Sequence, residues 1–294
     1  MDFTSYSTET VLSDAVTIIN VGQNKVVRIQ HELANAAISL FGGHILSYQP
    51  KGESDLIWMS EQAVFDNKTA IRGGIPICWP WFGRIAAPAH GFARTSQWAL
   101  VEHRENEHGV IIELALAEND DTLAIWPHLF DLRLRVEIGR ELTAVLNITN
   151  TDVAPWSFSG ALHTYLNVGD ITQATIRGMG PCYLDSLNSG ALTHGDETLQ
   201  LSDTIDRVYT LPDNLITLND PSLDRQLCVR NQGNNTAVLW NPWSEGANAM
   251  SDMQNDGYQT MLCIESTWHA PSLEQGKTLS TGETHQLITR IGVA

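Results

Sequence analysis

The chain has 294 residues, 43% of them hydrophobic, with 17 Lys plus Arg against 34 Asp plus Glu and a net charge of −17. That length and apolar content bury a large core without help from disulfides or metals. The acidity argues against nucleic acid or an anionic membrane as the main partner, and it repels anionic small molecules unless one cleft is locally positive.

The N-terminus, Met1-Asp2-Phe3-Thr4, has no basic region before an apolar run, and no later stretch is long enough to span a bilayer. Short runs with strand-like patterning follow at 25–31, 34–40, 97–103 and 110–117. From Phe130 to Ile138 every second residue is apolar, Gly139-Arg140 supplies a turn, and Leu142 to Ile148 alternates again, which predicts a hairpin. Further runs lie at 156–166, 205–211, 236–241, 258–268 and 284–291, and Ser244 to Met253 is the best helix candidate. No strand–helix alternation of parallel-sheet type, fixed repeat or linker divides the chain. The expectation is an all-β fold, one large antiparallel sandwich over 1–294 with few short helices. Cys78, Cys182, Cys228 and Cys263 form no C-x-x-C pair and lie among apolar or small residues. They read as free, buried thiols of a reducing compartment, so the protein is expected to be cytoplasmic.

Familiar catalytic signatures are missing: there is no G-x-S-x-G, H-E-x-x-H or Walker loop. His103 and His108 lie close in sequence, but in a stretch expected to be a solvated turn. The segment Ile71 to Arg94, IRGGIPICWPWFGRIAAPAHGFAR, fits no single regular element. It carries Arg72, Arg84 and Arg94, and guanidinium forks in an acidic protein suit an anion held in fixed orientation. Dense packing around Trp79 and Trp81 is the alternative for this segment. On the run Pro155 to Leu166, small residues (Ser157, Ser159, Ala161) share a face with His163 and Tyr165, while Trp156, Phe158, Leu162 and Leu166 form the other. His163 is either a packed structural histidine or a group standing over a small-residue floor. Glu265 sits in the apolar run Gly257 to Trp268, where burial demands a partner or a raised pKa. An ion pair with an arginine fits that run equally well.

In this order, RGGIPICWPWFG (72–83), HGFAR (90–94), HTYL (163–166), DRVY (206–209) and CIE (263–265) resemble the hexose-6-phosphate mutarotase (glucose-6-phosphate 1-epimerase) branch of the aldose 1-epimerase family. The resemblance runs from about Gly42 to the C-terminus. It implies a β-supersandwich, anomer interconversion without cofactor or metal, His163 as general acid and Glu265 as general base. Arg72, His90, Arg94 and Asp206 match positions that contact the sugar or its phosphate. The implied partner is a small molecule, a hexose 6-phosphate, and the chain is expected to act as a monomer. Trp81 and Trp240 are candidates to stack on the sugar ring, with core packing the alternative for at least one. Two other readings stay open: an epimerase for free galactose or glucose, and a non-catalytic sugar-binding sandwich.

Overall fold

The structure, a computed structural model, describes residues 1–294. Antiparallel strands dominate, and the only α-helices are Asp120–Ile125 and Trp243–Ala249. A five-stranded meander covers Thr8 to Pro50 in chain order. A nine-stranded sheet includes the hairpin Phe130–Ile138 and Leu142–Asn150, paired from Phe130↔Asn150 to Ile138↔Leu142, as the alternation predicts. An eight-stranded sheet is built round Ile205–Tyr209, Thr236–Asn241 and Met261–Trp268. Its inner face (Leu239, Leu262, Ile264) packs in one cluster of 58 buried residues with Leu132, Leu134 and Val136 of the nine-stranded sheet. Ile38, Ile45 and Tyr48 of the meander join the same cluster. No helix is long and apolar enough to cross a membrane.

Several local expectations need correction. The run 156–166 is not one strand but three short pieces, Trp156–Phe158, Gly160–Leu162 and Tyr165–Asn167. The first pairs with Lys277–Leu279, the second with Ile77–Cys78 and Met261–Trp268, and the third with Met261–Trp268 and, through an isolated bridge at Leu166, with Ile57. The chain therefore jogs at Ser159 and again at His163-Thr164. Residues 257–260 form a 3₁₀ turn before the strand Met261–Trp268. The helix near 244–253 is the shorter Trp243–Ala249. His103 lies within the strand Ala99–Asn106, and only Glu107 and His108 form the turn that follows. Strands Val16–Val21, His44–Pro50 and Arg225–Gln232 are not marked by the sequence patterning. His44–Pro50 is buried on both faces except at Gln49, which removes the alternation that would reveal it. All four cysteines are free, and Cys182 is partly exposed where a buried thiol is expected.

Candidate active site

Strand register sets the floor of the site. Across the eight-stranded sheet Asp206 pairs with Trp240 and Trp240 with Cys263, while Val208 pairs with Val238 and Val238 with Glu265. Side chains two apart on a strand share a face, so these two rows turn the same way. Asp206, Val208, Val238, Trp240 and Glu265 line a cavity of about 590 Å³, and Cys263 lies buried beside them under Tyr165 and Trp240. The intervening residues, Leu239, Leu262 and Ile264, enter the core. Ser157 and Ser159 do not form this floor. Ser157 bonds Thr278 at the surface (2.8 Å), and Ser159 Oγ accepts from the Phe82 backbone N–H (2.9 Å).

His163 reaches the cavity from the jog between Gly160–Leu162 and Tyr165–Asn167. Its backbone N–H donates to the Pro76 carbonyl (3.0 Å), and its ring stacks on Tyr165 with centroids 4.9 Å apart and planes 10° from parallel. Nε2 lies 3.4 Å from Glu265 Oε1, while His163 Nδ1 and Glu265 Oε2 have no partner within the protein. No arginine pairs with Glu265; the histidine is its neighbour. Glu265 is 1% exposed, and burial raises its carboxyl well above the usual range, with the Asp206 charge adding to the shift. Burial also holds His163 well below the usual imidazole value, reinforced by His90, Arg94 and Arg72. Both directions favour neutral groups in the unliganded pocket.

The irregular segment 71–94 forms the opposite wall. It is anchored by backbone bonds, including Gly74 N–H to the Trp58 carbonyl (2.8 Å) and Phe92 N–H to the Trp79 carbonyl (3.0 Å). His90 takes a left-handed backbone (φ 65°), uncommon for a residue with a side chain and a feature that clusters at functional sites. Gly91 follows at φ 70°, where a Cβ would collide with the Trp79 carbonyl oxygen. The His90 N–H donates to the Gly83 carbonyl (2.6 Å), and the Gly83 N–H donates to His90 Nδ1 (3.3 Å). Nδ1 is therefore an acceptor, which leaves Nε2 to carry the ring proton. Burial, with Arg94, Arg72 and Arg84 nearby, lowers the His90 pKa to about 3, so the ring is a neutral N–H donor.

The three arginines all line the cavity but differ in their partners. Arg72 pairs with Asp252 (3.1 Å), and its Nη1 donates to the Tyr165 hydroxyl (2.9 Å). Arg94 donates from Nη2 to the Ala89 carbonyl (2.9 Å), and its buried Nε has no partner. Neither Arg94 nor Arg84 has a carboxylate within 4.0 Å, and Arg84 is exposed at the rim. Asp206 faces the same space; burial raises its carboxyl, opposed by the Ser186 hydroxyl. His163, Glu265, Arg72, His90, Arg94 and Asp206 thus converge on one cavity. Trp240 lines it too, whereas Trp81 is 2% exposed and packs in the core. The patterning gives no sign of His269 or Ser186 as lining residues, because they lie outside the strands, whereas Tyr165, read on the same face as His163, lines the cavity with it.

Comparison with known proteins identifies the family. The aldose 1-epimerase family profile matches residues 25–292. The chain belongs to the aldose 1-epimerase family. It is an epimerase, and its substrate is a carbohydrate. An Escherichia coli K12 protein named "Putative glucose-6-phosphate 1-epimerase" is 37% identical over 249 residues, 83% of each chain. A Salmonella typhimurium protein described as a "putative mutarotase", known from its crystal structure, is 31% identical; the match has a TM-score of 0.93 over 99% of this chain and 97% of that one. The galactose 1-epimerase of Lactobacillus acidophilus, 15% identical over 99% of both chains, shares the fold with a TM-score of 0.74.

Proposed function

We propose that this epimerase interconverts the α and β anomers of a hexose 6-phosphate. Two features of one cavity support this: an acid–base pair at its base, and two arginines without carboxylate partners at its wall and rim. In a protein of net charge −17 such uncompensated arginines are places where a dianion is stabilised. The similarity to the E. coli protein named for glucose 6-phosphate points the same way.

The chemistry follows from what ring opening demands. Glu265, as carboxylate, takes the proton from the C1 hydroxyl while His163, as imidazolium, protonates the ring oxygen. The bond from C1 to the ring oxygen breaks, and its electron pair stays on that oxygen. The electrons released at the hydroxyl form the aldehyde. Rotation about C1–C2 presents the other carbonyl face, and the two transfers reverse. The pair holds one shared proton throughout: carboxylate with imidazolium before opening, carboxylic acid with neutral imidazole while the chain is open. The His90 Nε2–H donates to the C1 oxygen as charge develops there. Asp206 accepts from ring hydroxyls, Arg94 and Arg84 hold the phosphate, and Trp240 offers an apolar face to the ring. All these groups come from one chain, so a monomer suffices. The free thiols suit a reducing, cytoplasmic setting.

Magnetisation transfer between the anomers of glucose 6-phosphate, beside the same measurement on free glucose and galactose, tests the assignment. Faster exchange of the phosphorylated sugar is expected. Equal or greater acceleration of free galactose would remove the phosphate, and acceleration of none would leave a sugar-binding sandwich.

A further inference from the structure

Cys263 takes no part in the proton transfers above, yet it shares a sheet face with Glu265 and pairs in register with Tyr165, two residues beyond His163. One ligating atom each from His163, Cys263 and Glu265 lie within 4.8 Å of one another, and all three side chains are buried. We propose that these residues form a latent inhibitory site for a thiophilic divalent cation of the zinc type.

The geometry suits that ion. Zinc binds nitrogen and oxygen at about 2.0 Å and thiolate at about 2.3 Å, so a tetrahedral site separates a nitrogen from an oxygen ligand by about 3.3 Å. The 3.4 Å between His163 Nε2 and Glu265 Oε1 matches that edge. The donor set of imidazole, thiolate and carboxylate is one that zinc accepts, and three protein ligands leave a fourth position for water. A second observation points to a ligand here. Besides the facing Nε2 and Oε1, each group carries a buried atom without a protein partner, His163 Nδ1 and Glu265 Oε2, so the two side chains are held in this pocket with polar capacity unspent. Coordination replaces the thiol and carboxyl protons, which leave to solvent, by one dication. The occupied site adds no net charge beside Arg72 and Arg94. The cavity, lined by His163 and Glu265, gives the ion its route in.

Binding itself does not depend on the proposed reaction. Its inhibitory consequence does, because the ion occupies the acid and the base together. The test is therefore read in two ways on the full chain. Calorimetric titration with Zn²⁺ should give one ion per chain, and Co²⁺ substitution should give a thiolate-to-cobalt charge-transfer band. Zn²⁺ should inhibit anomer exchange in competition with the sugar. Cys263→Ser and Cys263→Ala should keep anomer exchange, lose the cobalt band, and weaken Zn²⁺ binding and inhibition by at least about tenfold. Two variants are used so that a packing defect in one, visible in its unfolding temperature, does not decide the result. Absence of stoichiometric binding overturns the proposal, and so does Zn²⁺ affinity unchanged in both folded variants. Metal binding as described in a protein without anomer exchange would leave the metal site standing and remove only the functional reading.

Discussion

His163 Nε2 lies 3.4 Å from Glu265 Oε1, and the two groups reach that contact from separate segments, one from a strand interior and one from a jog between strands. In the proposed reaction this contact lets a single proton serve both residues. Each proton transfer of this type contributes about 10²–10⁴-fold to rate. Glu265→Gln and His163→Ala should each slow exchange by about that factor, and the double variant should lose far less than the product of the single losses. A folded single variant near the wild-type rate would remove that residue from the reaction.

In the proposed reaction Glu265 also sets a trade between activity and stability. Its folded pKa lies above the unfolded value, so the native state keeps a proton that the unfolded chain gives up as pH rises past 4.5. Stability present below that pH is therefore progressively lost as pH rises toward the folded value. Glu265→Gln removes the dependence. The variant should unfold at a higher temperature than the wild type, and the gain should be larger at pH 8 than at pH 5. A gain independent of pH would show that ionisation is not its source.

Histidines act in the acid direction. His44 donates from Nε2 to the Gly73 carbonyl (2.7 Å), and burial brings its pKa to about 4; that of His90 is about 3. Above pH 6.5 these rings are neutral folded or unfolded and contribute no pH dependence. Below it the unfolded chain takes up protons that the native state refuses, so the contribution of these rings to stability should fall as pH drops from 6.5 toward 4, opposite in sign to that of Glu265. His44 alone accounts for about 3 kcal/mol of that fall. Chemical denaturation of the wild type beside a His44→Gln variant across this range measures it, because the difference between the two cancels the opposite contribution of Glu265; a difference independent of pH would contradict the burial argument.

The arginines should separate by substrate. Arg94 has no carboxylate partner, and charge-assisted bonds contribute about 1.5–3 kcal/mol, so Arg94→Ala should weaken glucose 6-phosphate binding by roughly ten- to a hundredfold. Slow turnover of free glucose should hardly change. Arg72 pairs with Asp252 and braces the Tyr165 ring that stacks on His163, so Arg72→Ala should impair both sugars. Kinetics on the two sugars check this. Proportional loss of both activities in Arg94→Ala would show that Arg94 does not read the phosphate.

Legibility in the sequence followed burial pattern. Strands with one face in the core, such as Phe130–Ile138, alternate cleanly and were readable with their partners. Strands covered on both faces, such as His44–Pro50, lose that signal. The helix Asp120–Ile125 carries a capping box between Asn119 and Thr122, a four-residue signature too short to stand out beside strand patterning. The placement of Glu265 was legible from parity along its strand. The small-residue floor expected under His163 is not there, since that reading assumed an unbroken strand and the chain jogs at Ser159 and at His163-Thr164. Sequence also could not tell that Arg72 is paired while Arg94 is not, because Asp252 lies 180 residues away.

Cavity-lining and core residues alternate along Met261–Trp268, Glu265 toward the cavity and Ile264 toward the interior. A slip of one residue in that strand would push a carboxylate into the core and an isoleucine into the pocket. The site is thus open to change by substitution but closed to insertion or deletion within its strands. New specificities in this scaffold would have to come from exchanged side chains there, or from altered length in the loops carrying Arg84, Ser186 and His269, where added residues leave the register untouched.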